Sequence, residues 1–382
     1  MNEQPQQGGT QPPSKEQMTL LNALLLPDDE ARMAANKWLA SVDIDAIEQA
    51  SMRLMPLFYV RLRELEIEHP LLPLMKGIKK RAWFLNNVLM RRAGEALRVL
   101  NAAGIEAMAL KGSALTIAYY RDLSSRPMGD VDLMVRPEDA AAAISALCDA
   151  GWRIETGRLA VPLYLERARK YAHAINLVHP AGQNIDLHWS LLPYSNDADE
   201  KFWNTSRQSE IDGQPVRILS PAFELLHVVA HGAAWNEVSP IRWVTDARIV
   251  LRSSPEFDWD DFVSEVRKRR LSLVVGGGLD FLALHFGDDV PAKVLSELRE
   301  SGATLFERFE YRQLRRPTTG VLGFVPRKLC KFKRITEGES VALASLALPE
   351  YLCWACNTEH VRQLPAVLAR RIFRQMRNHD AA

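Results

Sequence analysis

Two aspartates, Asp130 and Asp132, stand two positions apart in the apolar segment GDVDLMV. Alternate residues of a β-strand point to the same face, so a strand over residues 131–135 would place the two carboxylates side by side. Adjacent carboxylates repel each other and are tolerated chiefly where a cation lies between them, and hard divalent ions such as Mg²⁺ take oxygen ligands of this kind. The spacing therefore predicts a divalent-metal site.

A third carboxylate, Asp186, lies in another apolar segment, NIDLHW. If its strand lies beside the strand of Asp132, Asp186 completes a cluster of three carboxylates. It would then ligate one metal ion and help to deprotonate an attacking hydroxyl group. The alternative is a single aspartate on an edge strand, where it faces solvent.

A Gly-Ser pair, Gly112 and Ser113, separates a short apolar run from a helical pattern. Glycine lets the backbone approach an anion closely, while a helix N-terminus and a serine hydroxyl supply donors that suit the β- and γ-phosphates of a triphosphate. The alternative is ordinary turn and capping chemistry. Lys111 and Arg126 are neighbouring cations that could neutralise a phosphate oxygen. For Arg126 the alternative is a salt bridge to one of the strand aspartates.

The Asp-x-Asp spacing also occurs at three other places: Asp43 and Asp45, Asp197 and Asp199, and Asp258 and Asp260. The first and third of these pairs precede helical patterns, which predicts helix capping. The second pair lies in a polar segment, which predicts a loop. Only Asp130 and Asp132 combine the spacing with a strand and an upstream Gly-Ser turn, so only this pair is predicted to be functional.

The elements that must position these residues lie in the middle of the chain. Residues 107–110, 131–135, 152–154, 174–178, 185–189 and 216–219 are predicted strands, with helices over 114–120, 137–150 and 162–170 and a hairpin turn at 179–184. Helical periodicity dominates before and after this region, with one long helix predicted over 75–101. The pattern predicts an α+β fold with a disordered tail (1–14), an N-terminal helical unit (15–103), an α/β core with a small mixed sheet (104–219) and a C-terminal helical unit (220–382).

The composition is that of a globular protein: 382 residues, 47% hydrophobic and 25% charged, with a formal net charge of +1. These values exclude wholesale disorder, a fibrous repeat and a general nucleic-acid coat protein. Four cysteines do not form a disulfide scaffold, the N-terminus lacks the apolar core of a signal peptide, and no apolar run approaches the ~20 residues that span a bilayer. We therefore expect a cytoplasmic protein without a transmembrane segment.

Basic residues outnumber acidic ones from Glu307 to Ala382, and several alternate with apolar residues. The simplest interpretation is a set of amphipathic helices whose arginine stems cover the core. The functional alternatives are contact with RNA or with anionic lipid headgroups.

Several of these segments together resemble a bacterial family of uncharacterised nucleotidyltransferases within the DNA polymerase β-like superfamily. The resemblance lies in LKGSAL, Tyr120, RPMGDVDLMV, IDLHWSL and RWVTDA, and extends over about residues 85–260. It implies transfer of a nucleoside monophosphate from an NTP, with ATP as the expected nucleotide, to a hydroxyl acceptor, with release of pyrophosphate. Two Mg²⁺ ions, or Mn²⁺ in their place, would be held by Asp130, Asp132 and Asp186.

In the same resemblance, Gly112 and Ser113 would bind the β- and γ-phosphates, assisted by Lys111 and Arg126. The acceptor stays open between a small molecule, a glycan precursor, a peptide, a protein and a tRNA. Two other functions also stay open: a non-catalytic nucleotide-binding module, and a tRNA-directed nucleotidyltransferase toxin.

Overall fold

The computed structural model describes residues 12–192, 199–232, 240–287, 289–315 and 321–370. Helices precede and follow a mixed β-sheet, so the fold is α+β, as the sequence predicts. No helix within these described ranges combines the length and the apolar character needed to cross a bilayer. Most of the predicted tail lies outside the described residues, but Ser14 is described and caps the first helix by accepting the N–H of Gln17.

Five helices form the N-terminal part: α1 (Lys15–Leu25), α2 (Asp28–Ser41), α3 (Gln49–Met52), α4 (Met55–Glu64) and α5 (Leu72–Ala102). Helix α5 has 31 residues, begins with a proline in its first turn and confirms the long helix predicted over 75–101. Its buried face includes one polar side chain, Asn86, which contacts the segment before Asp130.

Seven strands form the sheet: β1 (Ala107–Leu110), β2 (Val131–Val135), β3 (Arg153–Ile154), β4 (Ala174–Val178), β5 (Asn184–His188), β6 (Arg207–Ile211) and β7 (Gln214–Ile218). Their order in the sheet is β3-β4-β5-β2-β1-β7-β6. Strand β2 is antiparallel to β1 and parallel to β5, and β4 and β5 form the predicted hairpin. Strand β6 was not predicted, because its sequence RQSEI is polar and lies at the edge of the sheet.

Four short helices accompany the sheet: α6 (Lys111–Leu115), α7 (Ala140–Asp149), α8 (Val161–Tyr171) and α9 (Asp199–Asn204). Helix α6 continues without a break into a π-helical turn, Thr116–Tyr120. Together these two segments correspond to the helix predicted over 114–120.

The two faces of the sheet pack into different hydrophobic clusters. Val131, Leu133, Ile185 and Leu187 belong to a cluster with the C-terminal half of α5, α7 and α8. The residues that alternate with them face the other side, where Met134 joins a larger cluster formed by helices from both ends of the chain. The carboxylates of β2 and β5 therefore face these terminal helices.

The C-terminal part consists of α10 (Pro221–Gly232), α11 (Arg242–Arg252), α12 (Trp259–Lys268), α13 (Ser272–Phe286), α14 (Ala292–Arg299), α15 (Leu305–Leu314), α16 (Val321–Ile335) and α17 (Val341–Ala355). Some of its basic residues serve internal contacts. Arg334 forms a buried ion pair with Glu310, and Arg327 donates to the carbonyl of Gln313. These contacts agree with the structural interpretation of the basic region, while contact with RNA or lipid stays a prediction.

The other Asp-x-Asp pairs are distributed differently from the expectation. Asp258 caps α12 by accepting the N–H of Asp261 at 2.9 Å, which confirms capping for that pair. Asp43 instead accepts the N–H of Asp45 at 3.1 Å within a turn, and Glu48 precedes α3, so the capping prediction was wrong there. Asp197 lies outside the described residues, and Asp199 begins α9 rather than lying in a loop.

Candidate active site

The register of two parallel strands brings the two central carboxylates together. Asp132 on β2 is paired with Asp186 on β5, and Met134 is paired with His188 two positions later. Because paired residues of adjacent strands point to the same face, Asp132 and Asp186 lie side by side. The structure thus excludes the alternative in which Asp186 is isolated on an edge strand.

The side chains of Asp132, Asp186 and His188 form a group whose candidate ligand atoms all lie within 4.8 Å of one another. The Nε2 atom of His188 is 3.1 Å from Oδ1 of Asp132. Asp130 directly precedes β2 and is more exposed than Asp132, which is only 3% exposed. Asp130 therefore lies at the solvent side of this group.

The three aspartates differ in how well the fold accommodates their charge. Burial disfavours the charged form of Asp132, but the hydrogen bond from His188 and the ion pair with Lys111 outweigh it and hold the pKa of Asp132 below its usual range. Burial, reinforced by the charge of Asp132, raises the pKa of both Asp130 and Asp186. Neither Asp130 nor Asp186 has a side-chain hydrogen bond or ion pair within the described residues.

The end of β1 contributes Lys111 and Gly112 to the same site. Lys111 has a left-handed backbone (φ 47°), and its ammonium group pairs with Asp132. A Cβ atom at Gly112 would lie 2.8 Å from Nη1 of Arg126 and 3.1 Å from two side-chain atoms of Met128. Glycine at this position therefore lets the Arg126 segment pack closely against the turn.

Ser113 is placed differently from the expectation. Its side chain is fully buried, and its hydroxyl donates to the carbonyl of Leu110 at 3.0 Å. The structure therefore does not bring this hydroxyl to the carboxylates, and the contact observed is the turn chemistry given as the alternative.

Arg126 is held in a buried ion pair. Its Nε and Nη2 atoms donate to the two carboxylate oxygens of Asp246 at 2.8 and 2.9 Å, and the hydroxyl of Tyr120 donates to the same carboxylate at 2.9 Å. The salt-bridge alternative was correct in kind but wrong in its partner, because Asp246 belongs to α11 and not to the sheet. The pair attaches the segment before Asp130 to the C-terminal helices.

The same segment is also bound by helix α5. The amide nitrogen of Asn86 donates to the carbonyls of Leu123 and Arg126 at 2.7 and 2.9 Å, and its oxygen accepts the N–H of Met128 at 3.0 Å. Arg242 of α11 donates to the carbonyl of Pro127 at 2.7 Å. Asp130 therefore follows a segment that is fixed from two sides.

Many of these groups line one cavity of about 730 Å³. Its lining combines residues of the core with Gln49, Ala50 and Arg53 of the N-terminal helices and with residues of α10 and α11. The volume falls within the range of small-molecule binding sites. Lys111, Gly112, Arg126, Asp130, Asp132 and Asp186 all line it, whereas Ser113 does not.

The family model for proteins described as uncharacterised nucleotidyltransferases matches residues 46–287, which is more than half of the chain. The chain belongs to this family. The resemblance inferred from residues 85–260 is thereby confirmed, and the match extends further in both directions. In particular, it includes the segment around Arg53 that lines the cavity.

Among solved structures, the structure of this chain is similar to the crystal structure of an antigenic nucleotidyltransferase-like protein from Paracoccidioides brasiliensis. The two are 14% identical, and the similarity covers 58% of this chain and 92% of that chain with a TM-score of 0.33. No curated protein matches the chain.

Several cavity residues of the nucleotidyltransferase were not predicted from its sequence, namely Arg53, His227, His231 and Arg242. The i,i+4 spacing of the two histidines places them on one face of α10, and both line the cavity. Burial lowers the pKa of His227 well below its usual value, and lowers that of His231 to about 4. Both imidazoles are therefore neutral at pH 7.

The donor set fits a divalent cation. Asp132 and Asp186 offer carboxylate oxygens that lie within 4.8 Å of each other, and Asp186 has no cationic partner in the described part of the chain. Asp130 lies outside this group of ligand atoms, although it lines the same cavity. Burial, together with the neighbouring charge of Asp132, raises the pKa of Asp130 and Asp186, and a bound cation would favour the charged form of both. His188 orients Asp132 by its hydrogen bond, as partners of metal-bound carboxylates commonly do.

Proposed function

We propose that this nucleotidyltransferase transfers a nucleoside monophosphate from an NTP to a hydroxyl acceptor in a reaction that depends on Mg²⁺ or Mn²⁺. Family membership supports nucleotidyl transfer in general. One observation supports the finer statement, namely the pairing of Asp132 with Asp186 across parallel strands at the wall of a large cavity. This arrangement provides the oxygen ligands that a divalent-ion mechanism requires.

In the proposed reaction the acceptor oxygen forms a bond to the α-phosphorus, and the bond from that phosphorus to the β-phosphate bridging oxygen breaks. Pyrophosphate leaves, and the acceptor hydroxyl loses its proton. Divalent ions, held by Asp130, Asp132 and Asp186, would polarise the phosphoryl oxygens and neutralise developing charge.

The protein side chains have separate roles in this scheme. Asp186 is the proposed proton acceptor, because its carboxylate lines the cavity and has no hydrogen bond or ion pair within the described residues. His188 and Lys111 keep Asp132 ionised and fixed in position. Gly112 permits close packing at the cavity edge, while the nucleotide-binding role of Arg126 remains a proposal beside its structural pairing with Asp246.

The full chain should be incubated with each α-³²P-labelled NTP and a cell extract, with Mg²⁺ in one series and EDTA in the other. We expect a labelled product and release of pyrophosphate in the Mg²⁺ series only. NTP binding without any transfer across all four nucleotides would contradict the proposal and favour the non-catalytic module. Label confined to the tRNA fraction would favour the tRNA-directed alternative.

A further inference from the structure

The cations that line the cavity fall into two groups. Arg126 is paired with Asp246, and Lys111 is paired with Asp132. Arg53 and Arg242 also line the cavity, but among the described residues neither has a carboxylate oxygen within 4.0 Å. These two arginines therefore carry positive charge that the described part of the fold does not compensate by an ion pair.

Arg53 comes from the helices that precede the sheet in the sequence, and Arg242 comes from the helices that follow it. Arg53 directly follows α3, and Arg242 is the first residue of α11. The positive charges of both act on Asp130, where they oppose the rise in its pKa. Burial, together with the charges of Arg126 and Arg53, lowers the pKa of Arg242 to about 10. Both guanidinium groups line the same cavity, and the charge of each acts on Asp130.

The hydrogen bonds of the two side chains leave most of their donors available. Arg242 uses Nη1 to bind the carbonyl of Pro127 at 2.7 Å, which fixes the guanidinium group in place. Arg53 makes no side-chain hydrogen bond to the described residues. A guanidinium group presents five N–H donors in a planar fork that matches the oxygens of a phosphate. The neighbouring imidazoles of His227 and His231 are neutral, so they do not supply the positive charge.

We propose that Arg53 and Arg242 form a binding site for a phosphate-type oxyanion at the end of the cavity beside Asp130. The inference deepens the proposed function and rests on it. Two sources have this chemistry: the β- and γ-phosphates of the NTP, and an anionic group on the acceptor. In both cases the anion would contact the N-terminal and C-terminal helices across the cavity. The proposed site assigns the phosphate contact to residues other than Ser113.

The site can be tested without turnover. Calorimetric titration of the full chain with sodium pyrophosphate in EDTA measures anion binding in the absence of divalent ions. We expect Arg53→Gln and Arg242→Gln each to weaken this binding by at least about tenfold, as for loss of hydrogen bonds to a charged group. Arg63→Gln is the matched control, because Arg63 is an exposed arginine outside the cavity that pairs with Glu68.

Because Arg53 is exposed and makes no side-chain hydrogen bond to the described residues, Arg53→Gln should fold normally, and thermal unfolding checks this. Equal pyrophosphate affinity of folded Arg53→Gln and the parent would overturn the site, as would a parent chain that binds no pyrophosphate. Asp132→Asn should bind pyrophosphate in EDTA at least as tightly as the parent. Failure of nucleotidyl transfer would leave this result unchanged, so the two proposals fail separately.

A second titration distinguishes the two sources of the anion. A non-hydrolysable α,β-methylene NTP should bind more weakly to Arg53→Gln if the β- and γ-phosphates occupy the site. It should bind to parent and variant alike if the anion belongs to the acceptor, while pyrophosphate binding is weakened in either case. Both results support an oxyanion site. Weaker binding of the NTP analogue identifies the nucleotide phosphates as the natural occupant, and unchanged binding identifies the anionic group of the acceptor.

Discussion

On the strand side of the cavity, Asp130 and Asp186 face solvent-accessible space without a cationic partner in the described residues, and their pKa is raised. On the helical side, Asp246 is fully paired with Arg126, accepts a bond from Tyr120, and has a lowered pKa. Both regions hold carboxylates of the same residue type. They differ in whether the fold itself supplies the compensating charge.

This difference separates a charge that serves the fold from a charge that serves a ligand. A buried ion pair with good geometry attaches two parts of the chain in a fixed arrangement. A group of like charges without counterions costs stability, and it is retained where a ligand supplies the opposite charge. Arg53 and Arg242 repeat the second pattern with the opposite sign.

The largest effect is expected on the strand side. Asp186→Asn should reduce NMP transfer more than about 100-fold, because even removal of a residue that only orients a metal ligand can cost that much. Measured without divalent ions, its free energy of unfolding should be unchanged or higher, because the substitution removes a charge whose pKa the fold raises. Turnover assays and urea denaturation provide the two readouts.

Asp132→Asn should lose activity similarly but should also lose stability, by about 1–3 kcal/mol, because Lys111 and His188 lose their partner. Asp258→Asn is the internal control: it alters an Asp-x-Asp motif that only caps α12, so turnover should stay within a few fold of the parent. If an Asp186→Asn variant kept the turnover of the parent, the carboxylates on the strand side of the cavity would not differ in function from those on the helical side.

The second effect concerns the helical side. Asp246→Asn leaves the buried guanidinium of Arg126 without its carboxylate and should lower the free energy of unfolding by about 3–5 kcal/mol. Urea denaturation measures this value. The double variant Arg126→Met/Asp246→Leu removes both charges, so it should be more stable than the single variant.

The exposed pair of Arg63 and Glu68 serves as the reference for this measurement. Arg63→Ala should change the free energy of unfolding by less than about 1 kcal/mol. In the folded double variant, NTP affinity also tests whether Arg126 contributes to nucleotide binding as the sequence predicts. If Asp246→Asn lowered the free energy of unfolding by less than about 1 kcal/mol, the ion pair of Arg126 and Asp246 would not anchor the helical side of the cavity.

A pH dependence is expected from Glu224 on α10, whose two carboxylate oxygens are buried and have no hydrogen-bond partner among the described residues. Burial raises its pKa to about 8 from 4.5, against the opposing charges of Arg126 and Arg207. Between these pH values the folded protein holds a proton that the unfolded chain has lost. Stability from this group is therefore lost as the pH rises from about 4.5 to 8.

Glu224→Gln should remove a slope of about 1.4 kcal/mol per pH unit from the stability profile in this range. Urea denaturation of parent and variant at several pH values gives the difference directly, and titrations common to both cancel. The variant should be more stable than the parent at pH 8. If the free energies of unfolding of parent and variant changed with pH in parallel, Glu224 would be ionised at neutral pH, and the helical side of the cavity would tolerate an unpaired charge.

The sequence predicted the central strands well because they are short, mostly apolar runs. The bounds of β1, β2 and β4 are those expected from the apolar runs, and the two-residue period correctly placed the aspartate of β2 on one face. The sequence left the adjacency of Asp186 to Asp132 open against an edge-strand position, and the register of β2 and β5 decides it. Polar β6 gave no such signal, since an edge strand does not need an apolar face.

The surroundings of the carboxylates were less accessible to sequence reasoning. Whether Ser113 points to the cavity or to Leu110, and whether Arg126 meets a ligand or Asp246, depends on the rotation of a turn and on a helix 120 residues away. His227 is buried in α10 and also lines the cavity. Tertiary packing decides these cases, and local spacing does not encode it.

The single side chain of Asn86 holds three backbone groups of the segment that leads to Asp130. Fixing a residue in one backbone conformation costs about 1–2 kcal/mol of conformational entropy. Here that cost is met when the chain folds, because Asn86 already holds the segment by these three hydrogen bonds. A nucleotide that binds as proposed would therefore not have to order this segment.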